Sequence, residues 1–260
     1  MRRFLLALAA SVTLAGAAPA QTTPSPTTPP QPAAAPSFTT EQREEIVSVL
    51  RDALRRDPSI LRDAIGALQE SDRAAQEETR RQALLANAEA LFRTADDPIK
   101  GNARGDVTIV EFFDARCGYC RSFQPALNQL LQRDRNVRVV LKDLPILGPN
   151  STLASRALLA AQRQGKYEAL HDALMRLRTD TPETVIQAEA QRAGLDWARL
   201  RRDMDDPAIM RRIETNLALA QRLGVEGTPA LVIGDRLIPG AIELPDLERY
   251  VREAREGRRG

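Results

Sequence analysis

After residue 38 the chain shows apolar positions at helical spacing. Ile46, Val49, Leu50, Ala53 and Leu54 form one stripe, opened by Thr39 and Gln42 in capping-box spacing and closed at Asp57-Pro58. Ile60, Leu61, Ala64, Ile65 and Leu68 form a second stripe behind that proline, and Leu84, Leu85, Ala88, Leu91 and Phe92 predict a third helix from about Glu70 to Phe92. This helical extension, residues 39–96, has stripes but no aromatic core to bury them in, and a module of roughly 55 such residues is marginal alone. Self-association is the expected outcome. The alternative, an isolated helical arm, predicts a monomer.

The period then changes. A short strand is expected around Ile99, and Gly105-Asp106 turns the chain into Val107–Phe113, which is apolar on both faces. Strands of that kind lie in sheets covered on both sides, so an α/β arrangement is implied. Ser122, Phe123, Ala126, Leu127, Leu130 and Leu131 give the next helix, with Pro125 expected to kink it. Val137–Leu141 completes a strand-helix-strand unit with the two strands parallel and adjacent. From 151 to 223 everything reads helical, with breaks near Gly165, Thr181-Pro182, Gly194-Leu195-Asp196 and Asp205-Asp206-Pro207. The chain returns to strand at Ala230–Ile233, turns at Gly234-Asp235, adds Arg236–Ile238, and closes with a helix from Pro245 to about Glu256. Residues 97–260 are thus expected to form one α/β domain with a helical insertion at 151–223.

Composition adds most at the N-terminus. Arg2-Arg3, the apolar run Phe4–Ala10 and the small residues up to Ala18-Pro19-Ala20 have the layout of a secretory signal peptide over residues 1–20, and the apolar stretch is too short for a membrane span. Export and a soluble product are expected, cleaved after Ala20. Residues 21–38 carry Pro at 24, 26, 29, 30, 32 and 36 and read as an extended tether. The 37 basic and 35 acidic residues are interleaved, so no nucleic-acid or membrane footprint is expected.

An exported chain with only two cysteines, Cys117 and Cys120, has no structural disulfide framework. A bridge at that spacing constrains little chain entropy, whereas a dithiol that opens and closes there is a redox device. Thiolates attack disulfides, and the first turn of a helix stabilises negative charge through unpaired N–H groups. Cys117 is therefore assigned as the attacking sulfur and Cys120, one turn on, as the resolving one. A zinc site needs further ligands, and the one histidine, His171, lies far along in a helical segment, so no metal or other cofactor is expected.

The strand, then Cys117-Gly118-Tyr119-Cys120 opening a helix, then a helical insertion, then Gly227-Thr228-Pro229 before a strand resembles the DsbA-like branch of the thioredoxin superfamily, over roughly Ile99 to Arg258. Phe112-Phe113-Asp114, Leu144-Pro145-Ile146-Leu147-Gly148 and the helical extension are similar to the suppressor-of-copper-sensitivity C proteins. The resemblance implies a thioredoxin-like fold, Pro229 as a cis-proline with Thr228 facing the cysteines to bind an extended substrate strand, and Glu111 as a buried acid that relays a proton to or from Cys120. It implies a periplasmic disulfide isomerase or reductase acting on exported proteins, a membrane redox partner that recycles the dithiol, and an oligomer, a trimer by analogy. Gly118 and Tyr119 replace the Pro-His of the oxidase branch, which removes a thiolate-stabilising histidine. Tyr119 and Arg116 read either as tuning residues or as plain surface.

Two other readings stand beside this one: a dithiol oxidase, and a copper- or unfolded-chain-binding protein on the same scaffold. Lys142 beside Asp143 reads as a surface ion pair, with pairing to the buried acid as the alternative. His171 and Trp197 read as packing or surface residues.

Overall fold

The computed structural model describes residues 38–257; the expected signal peptide and nearly all of the tether lie outside the described residues. The chain divides into two units, residues 1–62 and 63–260.

In the first unit the capping box forms as its spacing predicts. Thr39 Oγ1 accepts from Gln42 N and Gln42 Oε1 accepts from Thr39 N, and helix α1 follows over Thr40–Arg56. Asp57 then accepts from both the backbone N and the hydroxyl of Ser59, starting α2, Ser59–Ala86. Two helices are expected beyond Pro58 with a junction near residue 69, but α2 runs unbroken for 28 residues. Gln69-Glu70-Ser71 contains no Gly or Pro, and nothing there interrupts the backbone ladder. The break falls at Asn87, whose Nδ2 donates to Ala83 O, before the short α3, Ala88–Phe92. Ile46, Val49 and Leu50 on α1, and Leu61, Ile65 and Leu68 on α2, are solvent-exposed.

The second unit is built on a five-stranded sheet of order β1-β3-β2-β4-β5. Its strands are β1, Ile99–Gly101; β2, Val107–Phe113; β3, Val137–Asp143; β4, Ala230–Ile233; and β5, Arg236–Pro239. β2 and β3 are parallel in the register Val107↔Val137 to Phe113↔Asp143, as the crossover requires, and the other neighbours are antiparallel. At Gly105 a Cβ would sit 2.5 Å from Asn136 O, so only glycine lets the turn into β2 approach β3 this closely.

Alternation along β2 decides what covers each face. Ile109 and Phe113 join the core made with α4 (Gly118–Arg133), α10 (Leu244–Gly257) and the helical insertion, whereas Val110 and Phe112 pack with Leu84 of α2, Leu91 of α3, Leu219 of α9 (Pro207–Arg222) and Leu223 just after it. Glu111 has the parity of Ile109 and Phe113, hence the α4 side. The insertion is α5 (Pro149–Gln162), α6 (Tyr167–Met175), α7 (Glu183–Arg192), α8 (Trp197–Met204) and α9 (Pro207–Arg222), broken where expected. α4 continues through Pro125 without interruption. This is a thioredoxin-like α/β fold with an inserted helical subdomain and an N-terminal helical region. Among the described residues no helix is long and apolar enough to cross a membrane.

Candidate active site

Strand β2 ends in Phe113, and the loop that follows is folded around the Asp114 carboxylate. That carboxylate accepts from Arg116 N at 2.8 Å, Ile146 N at 2.9 Å and Leu147 N at 3.1 Å, so it ties the turn before the cysteines to the loop after β3. Cys117 N donates to Asp114 O, and Cys117 then serves as the N-cap of α4 with extended backbone. Its sulfur therefore stands over the open end of the helix, where N–H groups lack intrahelical acceptors. Cys120 is one turn further in and fully buried.

The facing wall comes from β4. Because Ala230 pairs with Phe112 across the β2–β4 ladder, the residues just before β4 fall beside the loop just after β2. The Thr228–Pro229 peptide bond is cis, and Cys117 Sγ lies 3.1 Å from Thr228 O. Both cysteines are free, and Cys117 is 7% exposed.

The electrostatics of the two sulfurs diverge. Cys117 is pulled down to about 5, first by hydrogen bonding from the Cys120 thiol, then by the Thr228 side chain and the N–H groups of Cys120 and Tyr119, against the opposing effect of burial. The contact with the Thr228 carbonyl favours the protonated thiol, and the donors outweigh it. Cys120 is pushed far up by burial, by its bond with Cys117, and by the charge of Glu111. One sulfur is held as an anion and the other as a thiol.

Glu111 is fully buried beneath the pair, and burial raises it to about 7, moderated by Lys100 and by Gln124, whose Nε2 lies 3.3 Å from Glu111 Oε1. Lys100, buried on β1, also binds Asp172 at 2.6 Å. Lys142 corrects both sequence expectations for it. It is neither a surface residue nor a partner of Glu111 but is sealed on the other face, donating to Asp97 Oδ2 at 2.5 Å and Ala90 O at 2.7 Å, because its parity on β3 directs it away from α4.

Of the residues singled out in sequence, Cys117, Cys120, Glu111, Thr228 and Pro229 converge here. Gly118 opens the first turn of α4, and a methyl group added there would meet no atom within 4 Å, so the approach to Cys117 on that side stays open. Tyr119 is 73% exposed. Arg116 is anchored, donating to Asp180 Oδ1 and Leu147 O. His171 is buried in an edge contact with Phe113 at 4.9 Å.

No role is expected of Lys100 or Gln124 from the sequence, and Asp143 is expected at the surface beside Lys142. Asp143 is buried with Tyr167 OH donating to it at 2.8 Å, and burial raises it to about 7. Gln124 was within reach, since it lies four residues after Cys120 on one face of α4.

Residues 108–252 match the DSBA-like thioredoxin domain, and residues 42–75 match the N-terminal domain of the copper resistance protein ScsC. A thioredoxin-like oxidoreductase from Silicibacter pomeroyi DSS-3 is 45% identical, with 65% of this chain and 97% of that one covered at a TM-score of 0.63. Proteus mirabilis ScsC in a transitional conformation is 32% identical, with 85% and 100% covered at 0.64. The thiol-disulfide exchange protein alpha-DsbA2 from Wolbachia pipientis is 28% identical, with 69% and 97% covered at 0.65. The first curated relatives are Na(+)/H(+) antiporters, such as NhaA 1 of Salinispora arenicola, 30% identical over 63% of this chain and 25% of the antiporter. The chain thus spans about a quarter of the length of those curated relatives.

Proposed function

We propose, starting from the fact that the chain belongs to the DSBA-like thioredoxin domain family, that it is an exported thiol–disulfide oxidoreductase working as an isomerase or reductase on other exported proteins. One observation carries this reading: a sulfur with a pKa of about 5 placed 3.1 Å from the carbonyl that precedes a cis-proline, backed by a buried thiol.

A pKa of about 5 leaves the Cys117 sulfur about 99% ionised at neutral pH. Its thiolate attacks one sulfur of a substrate disulfide, forming Cys117–S–S–substrate, and the second substrate sulfur leaves as a thiolate. From that mixed disulfide two exits are open. In isomerisation another substrate thiolate attacks the substrate sulfur and Cys117 leaves unchanged. In reduction Cys120 gives its proton to ionised Glu111 and attacks the Cys117 sulfur, releasing the substrate reduced and leaving a Cys117–Cys120 disulfide. The edge of the cis-proline loop supplies backbone groups for an extended substrate segment. Exposed Tyr119, Ile146 and Leu147 at the rim favour unfolded, apolar chains.

The exposed apolar residues of α1 and α2 support self-association through the extension, which sets several active sites around one substrate. The N-terminal residues 1–20 support export to the periplasm, where a membrane redox partner returns the dithiol to its working form.

Refolding assays separate the readings. Rescue of a scrambled disulfide protein, lost in Cys117→Ser, is the expected result. Activity confined to oxidising a fully reduced protein makes the chain an oxidase, and full exchange activity in Cys117→Ser ends the enzymatic reading. Light scattering with and without residues 21–93 tests the oligomer: a monomer in both cases ends that part.

A further inference from the structure

Glu111 shares its side of the sheet with a buried cation. Lys100 is opposite Val139 across the β1–β3 ladder, and Val139 lies two residues before Leu141, the partner of Glu111 across the β2–β3 ladder. Directly opposed residues project from the same face, so Lys100 and Glu111 both belong to the face that α4 and the helical insertion cover.

Two carboxylates act on Lys100, that of Glu111 and that of Asp172 on α6. The lysine, 4% exposed, is bound to the second. Its Nζ lies 2.6 Å from Asp172 Oδ1, and among the described residues Glu111 has no ion-pair partner within 4.0 Å. Solvation accounts for the choice. Asp172 keeps 30% of its side chain in water and Glu111 keeps none, so the negative charge costs less on Asp172. Burial works against that charge, yet the hydrogen bonds with His171 and Lys100 hold Asp172 down to about 2. On its open side Asp172 shares a cavity with Arg121, Arg176 and Arg178, which favour the anion as well.

Glu111 thus faces a cation whose charge is already matched. The other titratable groups that act on it or lie next to those that do supply no positive charge. Cys120 on α4 and Tyr167 on α6 feel its charge, and Asp143 on β3 binds Tyr167 OH. His171, stacked on Tyr167 and 3.3 Å from Asp172, has its pKa lowered by burial and stays neutral at pH 7.

We propose that Asp172 is a positioning residue for the proton step at the redox pair and acts through Lys100: by holding that cation on α6 it leaves Glu111 without a counter-ion, and so able to take the Cys120 proton. The inference deepens the oxidoreductase reading above and rests on it. In the step concerned Cys120 loses its proton to ionised Glu111, its sulfur bonds to that of Cys117, and the substrate sulfur leaves with the electron pair. A Glu111 paired with Lys100 is held as a carboxylate and accepts that proton less readily. The helical insertion, through α6, in this way sets the basicity of an acid on β2 to which Asp172 is not hydrogen-bonded.

Two substitutions should move Glu111 in opposite directions, an outcome that a merely structural role for Asp172 does not produce. Asp172→Asn leaves Lys100 buried with Glu111 as the remaining carboxylate that acts on it, and a buried charge recruits the opposite charge within reach. The Glu111 midpoint should then fall from about 7 by about 1 to 3, the range for a carboxylate beside a cation. Lys100→Met removes the cation, and the midpoint should rise above its present value. Carbon-13 NMR of the full chain in its dithiol form, labelled at glutamate carboxyls, reads both, with Glu111→Gln identifying the signal. The rate at which Cys120 resolves a mixed disulfide on Cys117 should follow, its rise with pH displaced to lower pH in Asp172→Asn and to higher pH in Lys100→Met. A midpoint that stays at about 7 or rises in Asp172→Asn, or that moves the same way in both variants, overturns the proposal. If Asp172→Asn does not fold, Asp172→Ser, smaller and likewise uncharged at a partly exposed position, is read by the same criteria. The carboxyl titration involves no substrate, so it decides the role of Asp172 even where no disulfide exchange is found, and that absence counts against the oxidoreductase reading.

Discussion

Glu111→Gln is the perturbation whose consequence follows most directly from the geometry. The carboxyl group is fully buried among apolar side chains and its pKa rises from 4.5 to about 7, chiefly because burial disfavours the charged form. Between those two values the folded chain holds a proton that the unfolded chain has released. Stability therefore falls as pH rises through that window and, for this group, is greatest below pH 4.5. With about 1.4 kcal/mol per pKa unit, the loss complete above pH 7 is about 3 kcal/mol. Two other groups titrate nearby. Asp143 is raised to about 7 for the same reason and slopes the same way, whereas Cys117, lowered to about 5, gains stability as pH rises and slopes against them. Both are common to wild type and variant, so the difference between their denaturation profiles isolates Glu111. Glutamine keeps an oxygen for Gln124 Nε2 and carries no charge. Urea unfolding of both dithiol proteins from about pH 4 to 9 is expected to show the variant gaining about 3 kcal/mol on the wild type across the window. The same variant cannot take the Cys120 proton, so mixed disulfides trapped on Cys117 should accumulate. A difference profile that is flat, or that moves only below pH 5, means an ordinary carboxylate and removes the relay.

Cys120→Ala takes away the largest influence that holds Cys117 down, so ultraviolet thiolate titration should place Cys117 about 1 to 2 above its present value of about 5. An unchanged titration would transfer that role to the helix N–H groups. Lys142→Ala leaves Asp97, its side chain 2% exposed, with Arg212 at 3.6 Å as its one remaining ion-pair partner among the described residues, and should cost about 3 kcal/mol in denaturant unfolding. A loss under about 1 kcal/mol would mean that Arg212 or water replaces the lysine.

The legible parts of this chain were those with local signals. The capping box at Thr39 and Gln42, the two-sided apolar run of Val107–Phe113, the breaks in the helical insertion and the C-x-x-C spacing each depend on residues a few positions apart. Where the signal was weak the reading slipped: with no Gly or Pro near residue 69, only the continuous ladder of α2 shows that the helix does not stop there. Lys142 and Lys100 were harder. Strand parity places each on a definite face, but which face is covered depends on elements distant in sequence, α2, α3 and α9 on one side and α4 with the insertion on the other.

By itself, then, the sequence determined most of the elements, their order and the candidate reactive pair, because periodicity, turn chemistry and motif spacing act over a few residues. Tertiary structure alone decided the charges: it brought Thr228 to 3.1 Å from Cys117, sealed Glu111 and Asp143 from water, and paired Lys142 with Asp97. A group's ionisation is set by the dielectric and the neighbours around it, and those come from strands and helices joined only when the chain has folded.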